Sequence, residues 1–490
     1  MPTFPAIWFT SGSPINVGQR ECAMERYLGY HAGKHGTGWR RKAVAIPLAT
    51  GAGVHDGIGL LCQWVLDWQG AHGGQRLLSI PDEVTAWAAT EAAKRYEHKA
   101  RTRGLELTKT DLDAAAAVEQ LILEQRTLIE AQVWIYSLAR LPVMLSQAVL
   151  ISTEQEEGPI VDCTCGLGDW VGQWTDHQAR GCAGICPMAR ADASWELVDN
   201  KTLVYEEVKT KATRNYGWEQ QWEHSGQLWL NMEAAGRRLG REVTQAFVPV
   251  LYKGKRDRVN RDDKASPRIQ QSPLCYGWFD PGDGLNRLPE WSARWQWYDD
   301  WGKKHTLGGS YKRAPIWQPA FDLSPVRVLP PNGVVIRQEA SRVERWVKGW
   351  ILPAQYAELL QTLGPFPKPP ALMLDAQRSL VTEERRWRDD VAWLRAAGIY
   401  QPSDTAMIEG VTYQAADIIP RSWNCTKFSG DACQFKWICH REPGWEDMTT
   451  HPDFEIRTPH HAIEKEAATE YVKSLGLAWT EDDDEDGGGE

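Results

Sequence analysis

The chain of 490 residues carries no G-x-x-x-x-G-K-[ST] phosphate loop, so no helicase or ATPase motor is encoded in it. It has no internal repeat. No run of about 18 uncharged apolar residues occurs, and residues 1–19 lack a basic stretch followed by an apolar one. A membrane span and a secretory leader are therefore not expected, and the sequence reads as a soluble, cytoplasmic protein. Positive charge is also in deficit, with a formal net charge of -10. That deficit would argue against a polyanionic partner if it were spread evenly. It is not: Glu481–Glu490 holds seven acids and no base, which leaves only -3 for the rest. A local basic face thus stays compatible with the composition. The tail itself reads as disordered, because like charges repel and glycine offers nothing to pack.

What is present is a chain long enough for two or three packed units without disulfides. Ten cysteines in such a chain are better explained as metal or cluster ligands and a few buried thiols than as a secreted framework. The 26 tryptophans are mostly core residues, with few left to stack on bases.

The most informative stretch is RADASWELVDNKTLVYEEVKTKATRNYGWEQQWEHSGQ, residues 190–227. Ala193–Val198 and Leu203–Lys209 flank the turn formers Asp199 and Asn200, which is the pattern of a β-hairpin. Glu207 and Lys209, two apart, point to one face of a strand, and Asp192 can close on Glu207 across the hairpin. Converging carboxylates repel unless a cation lies between them, and oxygen ligands favour Mg²⁺ or Mn²⁺. An ammonium nearby can steady a water or a developing phosphate charge. A charged, solvated strand face is the alternative reading of the same residues.

The spacing D-x14-E-x-K, followed by a helix bearing Gln227, resembles the PD-(D/E)XK nuclease superfamily, and within it the RecB-type branch. Three further features fall in the matching order. G-x-x-x-H at Gly51–His55 is similar to that branch's first motif, which implies that His55 joins the metal site. Gln227 matches the first position of its Q-x-x-x-Y motif, although Asn231 stands where the tyrosine would be; the glutamine is expected to orient Lys209 or contact DNA. Cys22, with Cys425-x7-Cys433-x5-Cys439 near the far end, has the layout of the iron-sulfur members, which include exonucleases of CRISPR adaptation and AddB-type nuclease domains. Those relatives more often show C-x2-C-x5-C. Four thiolates match what a [4Fe-4S] cluster requires, and the cluster would tie the two ends of the nuclease together. A zinc site of the same residues, with His440 as a substitute ligand, is the alternative.

Cys163-x-Cys165 and Cys182-x3-Cys186 form a second set that reads as a zinc knuckle, with His177 a spare ligand and buried thiols the alternative. Around these motifs, Ser13–Pro14 is expected to open a short helix carrying Cys22. His31–Lys42 reads as a basic loop whose Lys34, Arg40, Arg41 and Lys42 can grip phosphates. Val84–Leu141 reads as a helical wall closed by Pro142, Gln147–Glu154 as a strand beside the hairpin, and 212–242 as one amphipathic helix. Val243–Tyr252 reads as a strand, followed by the basic Lys253, Lys255, Arg256 and Arg258. Ala340–Ala397 is expected to be helical, broken at Gly364–Pro370.

The expected fold is α/β: a restriction-endonuclease-like mixed sheet flanked by helices, with helical and Cys-rich insertions. The segments are 1–62, with the first cluster cysteine and His55; 63–145, helical; 146–256, the nuclease core with the Cys-rich insertion at 160–188; 257–415, irregular and helical; 416–445, the cluster cysteines; 446–478, helical; and 479–490, the tail.

The resemblance implies a Mg²⁺- or Mn²⁺-dependent DNA exonuclease with a [4Fe-4S] cluster, active in recombination, repair or phage DNA processing, and the spacing of Cys163, Cys165, Cys182 and Cys186 adds zinc as a further expected ion. Asp192, Glu207 and the Val208 carbonyl would hold the catalytic ion, with His55 helping and Lys209 beside it. Its substrate would be single-stranded DNA or DNA with a free end, and its partner a helicase or recombination complex. A non-catalytic DNA-end or single-strand binding module and a structure-specific endonuclease are the rival readings.

Overall fold

The computed structural model describes residues 6–11, 22–43, 45–105, 115–169, 171–211, 216–252, 360–368, 370–420, 433–442 and 445–479, together with short strands between 289 and 348. Cys425, the basic run 253–258, Ser13–Pro14 and the tail from 480 lie outside the described residues, as does most of the Trp- and Pro-rich segment 257–339.

The fold is mixed α/β, built on a sheet whose strands come from distant parts of the chain. These are β1 (Ala148–Glu157), β2 (Ala189–Leu197), β3 (Leu203–Glu206), β4 (Lys209–Lys211), β5 (Val243–Tyr252) and β6 (Leu360–Pro367). The order is β6-β5-β3-β2-β1, with β4 also paired to β5. The hairpin of β2 and β3 is antiparallel, as the Asp199–Asn200 turn requires, whereas β3 and β4 run parallel to β5. Parallel neighbours need a crossover. The segment between β4 and β5 supplies it with a helix, Gly226–Arg238.

Each face of the sheet has its own apolar layer. Ala193, Trp195, Val204 and Val208 pack beneath three helices, α2 (Ile46–Ala71), α3 (Asp82–Arg103) and α4 (Ala115–Ile135), through Val54, Ile58, Leu61, Ala92 and Val133. Numbering of the helices starts with α1 (Ala23–Tyr30) and continues with α5 (Leu141–Gln147), α6 (Gly226–Arg238) and α7 (Pro370–Ala396). On the opposite face Leu203, Tyr205, Val248 and Val250 meet Leu228, Trp229 and Met232 of α6. The 63–145 helices thus share a core with the sheet. Within them, Leu128–Gln147 is long and apolar enough to cross a membrane, but 71% of its most apolar window is buried in the protein, as a core helix would be.

A third apolar layer joins the chain's two ends. Met24, Tyr27 and Leu28 of α1 pack with Trp387, Val391 and Leu394 of α7 and with Phe435, Ile438 and Phe454. At its heart the Arg26 guanidinium grips Glu384 with both nitrogens, Nη1 at 3.0 Å and Nη2 at 2.5 Å, and Trp8 Nε1 donates to the same carboxylate at 2.9 Å. Neither charged side chain is exposed, so each would be costly without the other.

Several expected elements are corrected. Leu360–Pro367 is an edge strand, not helix: among the described residues β6 pairs only with β5, and an edge tolerates Pro365 and Pro367 because one side needs no donors. Pro142 starts a helix, sitting in the first turn of α5 after a π-turn at Tyr136–Arg140. The 212–242 stretch is broken at Ser225, whose hydroxyl caps α6 by accepting from Leu228 N at 3.3 Å. Cys22 stands at the N-cap position of α1 in extended conformation, just outside that helix. The basic 31–42 segment is folded in: Trp39–Arg41 pairs with Phe454–Ile456, and Arg40 Nε donates to Glu455 at 2.9 Å.

Candidate metal and catalytic centre

His55 reaches the sheet because α2 is stripped of side chains on either side of it. Gly51, His55 and Gly59 recur at the i, i+4 spacing that puts them on one helix face. A Cβ at Gly51 would lie 3.2 Å from Thr210 Oγ1, and one at Gly59 3.2 Å from Glu154 Cγ. The helix therefore lies directly on β1 and β4, and His55 Nδ1 comes to 3.5 Å from Asp192 Oδ1.

Asp192 has a second carboxylate across from it. Thr153 pairs with Ala193 and Gln155 with Ala191, so Glu154 on β1 stands directly opposite Asp192 on β2. Like charges at such a position destabilise a sheet. Glu154 also adopts a φ of +49°, a left-handed backbone conformation that residues other than glycine seldom take, and its neighbours must hold it there. One ligand atom each from His55, Glu154 and Asp192 lies within 4.8 Å of the others. Burial and the Asp192 charge push the Glu154 carboxyl up to about 7. Asp192 is lowered: burial opposes ionisation, but His55, Lys209 and the Val208 N–H outweigh it. His55 is raised, the attraction of Asp192 overcoming burial. The geometry and the mutual repulsion of the acids both fit a divalent cation.

Glu207 is not a member of that group, which corrects the expected ligand set. Strand β3 ends at Glu206 and β4 begins at Lys209, so the backbone at Glu207–Val208 breaks the ladder with β2. In that break the Val208 N–H donates to Asp192 Oδ2 at 2.6 Å; it is the amide hydrogen of Val208 that engages the site. The Glu207 carboxylate is buried and turned toward α6. It accepts from Lys209 Nζ, from Gln227 Nε2 at 3.2 Å, from Asn231 Nδ2 at 3.1 Å and from the Tyr205 hydroxyl. Lys209 stays charged, since Glu207 and Asp192 offset its burial and hold its pKa above the usual lysine value. Its ammonium also lies 5.6 Å from the Trp222 ring centre. Gln227 contacts Glu207 and not Lys209. Asn231, in place of an aromatic, contributes an amide to the same carboxylate.

The neighbouring Glu206 points the other way. It is fully buried, and Tyr136 Oη at 2.6 Å and Arg140 at 3.0 and 2.6 Å satisfy it. The π-turn brings both partners to it.

A second ligand group forms from Cys163, Cys165, Cys182 and His177. Cys163 Sγ and Cys165 Sγ are 3.6 Å apart, and His177 Nδ1 is 3.5 and 3.4 Å from them. Tetrahedral zinc with Zn–S bonds of ~2.3 Å would set its sulfurs ~3.8 Å apart. His177 Nε2 lies 2.5 Å from the Val171 carbonyl, which fixes the proton on Nε2 and leaves the Nδ1 lone pair for a metal. The Cys182 thiol falls to about 6: burial opposes the thiolate, but the Thr164 N–H and hydroxyl, His177 and the Gly184 N–H outweigh it. The four residues can hold a metal ion. Cys186 is the correction. It lies on the short strand Ile185–Pro187, packed with Ile160 and Trp174 and against Gly158, and burial raises its pKa. His177, the spare ligand, stands in its place.

Cys22, Cys433 and Cys439, from opposite ends of the chain, all pack against the apolar layer that holds Met24 and Phe435. Burial, then Glu25 and the two other thiols, push Cys433 up to about 12. No family model matches the chain, and no curated protein matches it.

Sequence reasoning passed over Glu154 and Tyr205. Glu154 was the last residue of an expected strand, but only the register with β2 shows that it faces Asp192. Tyr205 alternates with Glu207 and Lys209, a period-two signal that was available.

Proposed function

We propose that the protein is a divalent-metal-dependent deoxyribonuclease of the RecB-type PD-(D/E)XK kind, acting as an exonuclease. The observation that carries this reading is the convergence of His55, Glu154 and Asp192 from three elements, with the Lys209 ammonium held beside them by Glu207. In this reading the three residues hold Mg²⁺ or Mn²⁺, with Glu154 taking the place expected for Glu207. The ion supplies a water of lowered pKa and a Lewis acid for the scissile phosphate. Lys209 stabilises charge on the attacked phosphate, and Glu207 positions Lys209 through a carboxylate that Tyr205, Gln227 and Asn231 keep from turning. Zinc fits the Cys163, Cys165, His177 and Cys182 group, and a [4Fe-4S] cluster fits Cys22, Cys433 and Cys439 as three of its four ligands.

Incubating the purified protein with end-labelled linear DNA and with a covalently closed circle, with and without Mg²⁺, tests the assignment. Metal-dependent loss of the linear substrate alone is expected. Binding without cleavage of either substrate would favour the non-catalytic module, and cutting of the circle an endonuclease.

Metal affinity is expected to depend on pH through Glu154. Below about 7 the carboxyl is protonated in the metal-free protein and the ion must displace that proton. Affinity should therefore fall by about tenfold or more per pH unit below 7, because His55, raised by Asp192, must also give up a proton to bind the ion. In the metal-free protein the sign of stability is opposite: the neutral form stabilises the fold at low pH, and that contribution is lost as pH rises through about 7. Calorimetric Mn²⁺ titrations at pH 6, 7 and 8 measure the first effect, and Glu154→Gln should make the profile less steep, leaving the part due to His55.

Protein purified without oxygen should be brown, with a broad visible absorption that Cys439→Ser reduces or removes. A colourless preparation with zinc at Cys22, Cys433 and Cys439 would replace the cluster in this reading by a single ion.

A further inference from the structure

A cavity of about 260 Å³ is lined among others by Thr10, His31, Arg40, Arg457, His460 and His461. It lies below the ~300–1,000 Å³ of sites that take drug-sized ligands, so it suits one compact polar group. Two observations indicate which kind. First, its wall contains buried polar atoms with nothing to bond: Thr10 Oγ1, on a residue with no exposed surface, and His31 Nε2, on a residue 7% exposed. Buried hydroxyls and ring nitrogens normally find partners, and leaving one unmade costs stability. Second, the lining carries two guanidiniums, Arg40 and Arg457, against the single carboxylate of Glu464. Arg40 and Arg103 share the one carboxylate of Glu455, each at 2.9 Å. Arg457 lies over the Tyr30 ring and is fixed by Glu464 at 2.7 Å and by the Thr37 carbonyl at 2.8 Å. Burial holds both His460 and His31 neutral, and the nearby arginines reinforce it.

The cavity is coupled to the metal group by chain geometry. His461 Nδ1 is 3.3 Å from Glu156 on β1, and Glu156 pairs in register with Arg190 on β2. Arg190 Nε in turn lies 3.1 Å from Glu154. We propose that this cavity is a phosphate-binding pocket, taking one phosphate of a nucleic-acid strand whose neighbouring phosphodiester lies at His55, Glu154 and Asp192. Guanidinium groups, neutral imidazoles and an unpaired hydroxyl are donors that match phosphate oxygens. The pocket stands independently of cleavage; only the source of the phosphate rests on the nuclease reading.

The test uses the full chain. Inorganic phosphate, added without metal or DNA, should raise the unfolding midpoint of the wild type and give a saturable calorimetric isotherm. Thr10→Val keeps the shape of the side chain and removes only the orphan hydroxyl. It should leave the midpoint of the free protein unchanged or higher and weaken phosphate binding about tenfold. Arg457→Gln should abolish binding, and Thr10→Val keeps the test sound if that variant does not fold. Strand chemistry is then read in the Lys209→Ala background with oligonucleotides bearing a 5′-phosphate, a 3′-phosphate or neither. Tighter binding of one phosphorylated end, lost in Thr10→Val, assigns the pocket to a terminal phosphomonoester. Equal binding of all three, weakened alike by Thr10→Val, assigns it to an internal phosphodiester. Absence of a phosphate effect on the wild type, or an undiminished one in Thr10→Val, overturns the proposal whether or not the protein cleaves DNA.

Discussion

Replacing Lys209 with alanine is expected to slow DNA cleavage by about 10²–10³-fold, the loss typical when one preorganised donor to a developing charge is removed. DNA binding and Mn²⁺ binding should be largely spared, because Lys209 is not a ligand and is one cation among many along a DNA path. Its ammonium is held by Glu207, and Glu207 and Asp192 keep it charged in spite of its burial. The contrasting variant is Asp192→Asn, which should lose Mn²⁺ binding and cleavage together, since Asp192 meets His55 at 3.5 Å and faces Glu154 across the strands. Glu207→Gln lies between them. It retains metal binding but releases Lys209, so its cleavage rate should fall while its metal affinity holds. Single-turnover rates on a labelled strand, measured beside Mn²⁺ titrations, separate the three variants. Cleavage by Lys209→Ala at the wild-type rate would remove the enzyme assignment.

Loss of a metal ion from the group Cys163, Cys165, His177 and Cys182, which can hold one, should have the largest effect on stability. Cys182→Ser is expected to release about one zinc per chain and destabilise the fold by more than about 4 kcal/mol, the range reached when a structural metal is removed. The loop has other anchors, since Asp162 pairs with Arg385 at 2.6 Å and Arg388 donates to the Ala183 carbonyl at 2.7 Å. Those contacts tie it to α7, the helix whose Glu384 grips Arg26. Unfolding of the loop should therefore propagate to the layer joining the two ends of the chain. Cys186→Ser is the control: it places a hydroxyl in an apolar cluster, costing about 1–3 kcal/mol, without releasing metal. Metal analysis and denaturant unfolding of both variants give the answer, and equal zinc content in Cys182→Ser and wild type would refute the ligand set.

Local patterns were enough to read much of the centre of this protein. The hairpin of β2 and β3 follows from two apolar runs around Asp199–Asn200, and β5 was legible from end to end as Val243–Tyr252. The alternation of Glu207 and Lys209 placed them in contact, as the side chains are found. His55 was legible only through the resemblance of G-x-x-x-H at Gly51–His55; that glycines at 51 and 59 bare its helix face for close approach is seen only in the fold. The edge strand at Leu360–Pro367 was misread because prolines break helices and strands alike, and only its place at the sheet margin distinguishes the two.

The sequence by itself determined which residue types were available for chemistry, and that acids, a lysine, an imidazole and two sets of thiols would be carried on strands, helix ends and tight loops. Tertiary structure alone decided which of them meet. Glu154 joins Asp192 because the register of β1 against β2 puts them opposite, and Glu207 leaves the group because the ladder breaks one residue after Glu206. Of the adjacent pair Glu206 and Glu207, one is neutralised by Arg140 and the other holds Lys209. His177 replaces Cys186 because a hydrogen bond to Val171 aims its free nitrogen at the sulfurs. Register, strand breaks and ring orientation are set by contacts between residues far apart in the chain, and a local pattern contains no record of those distances.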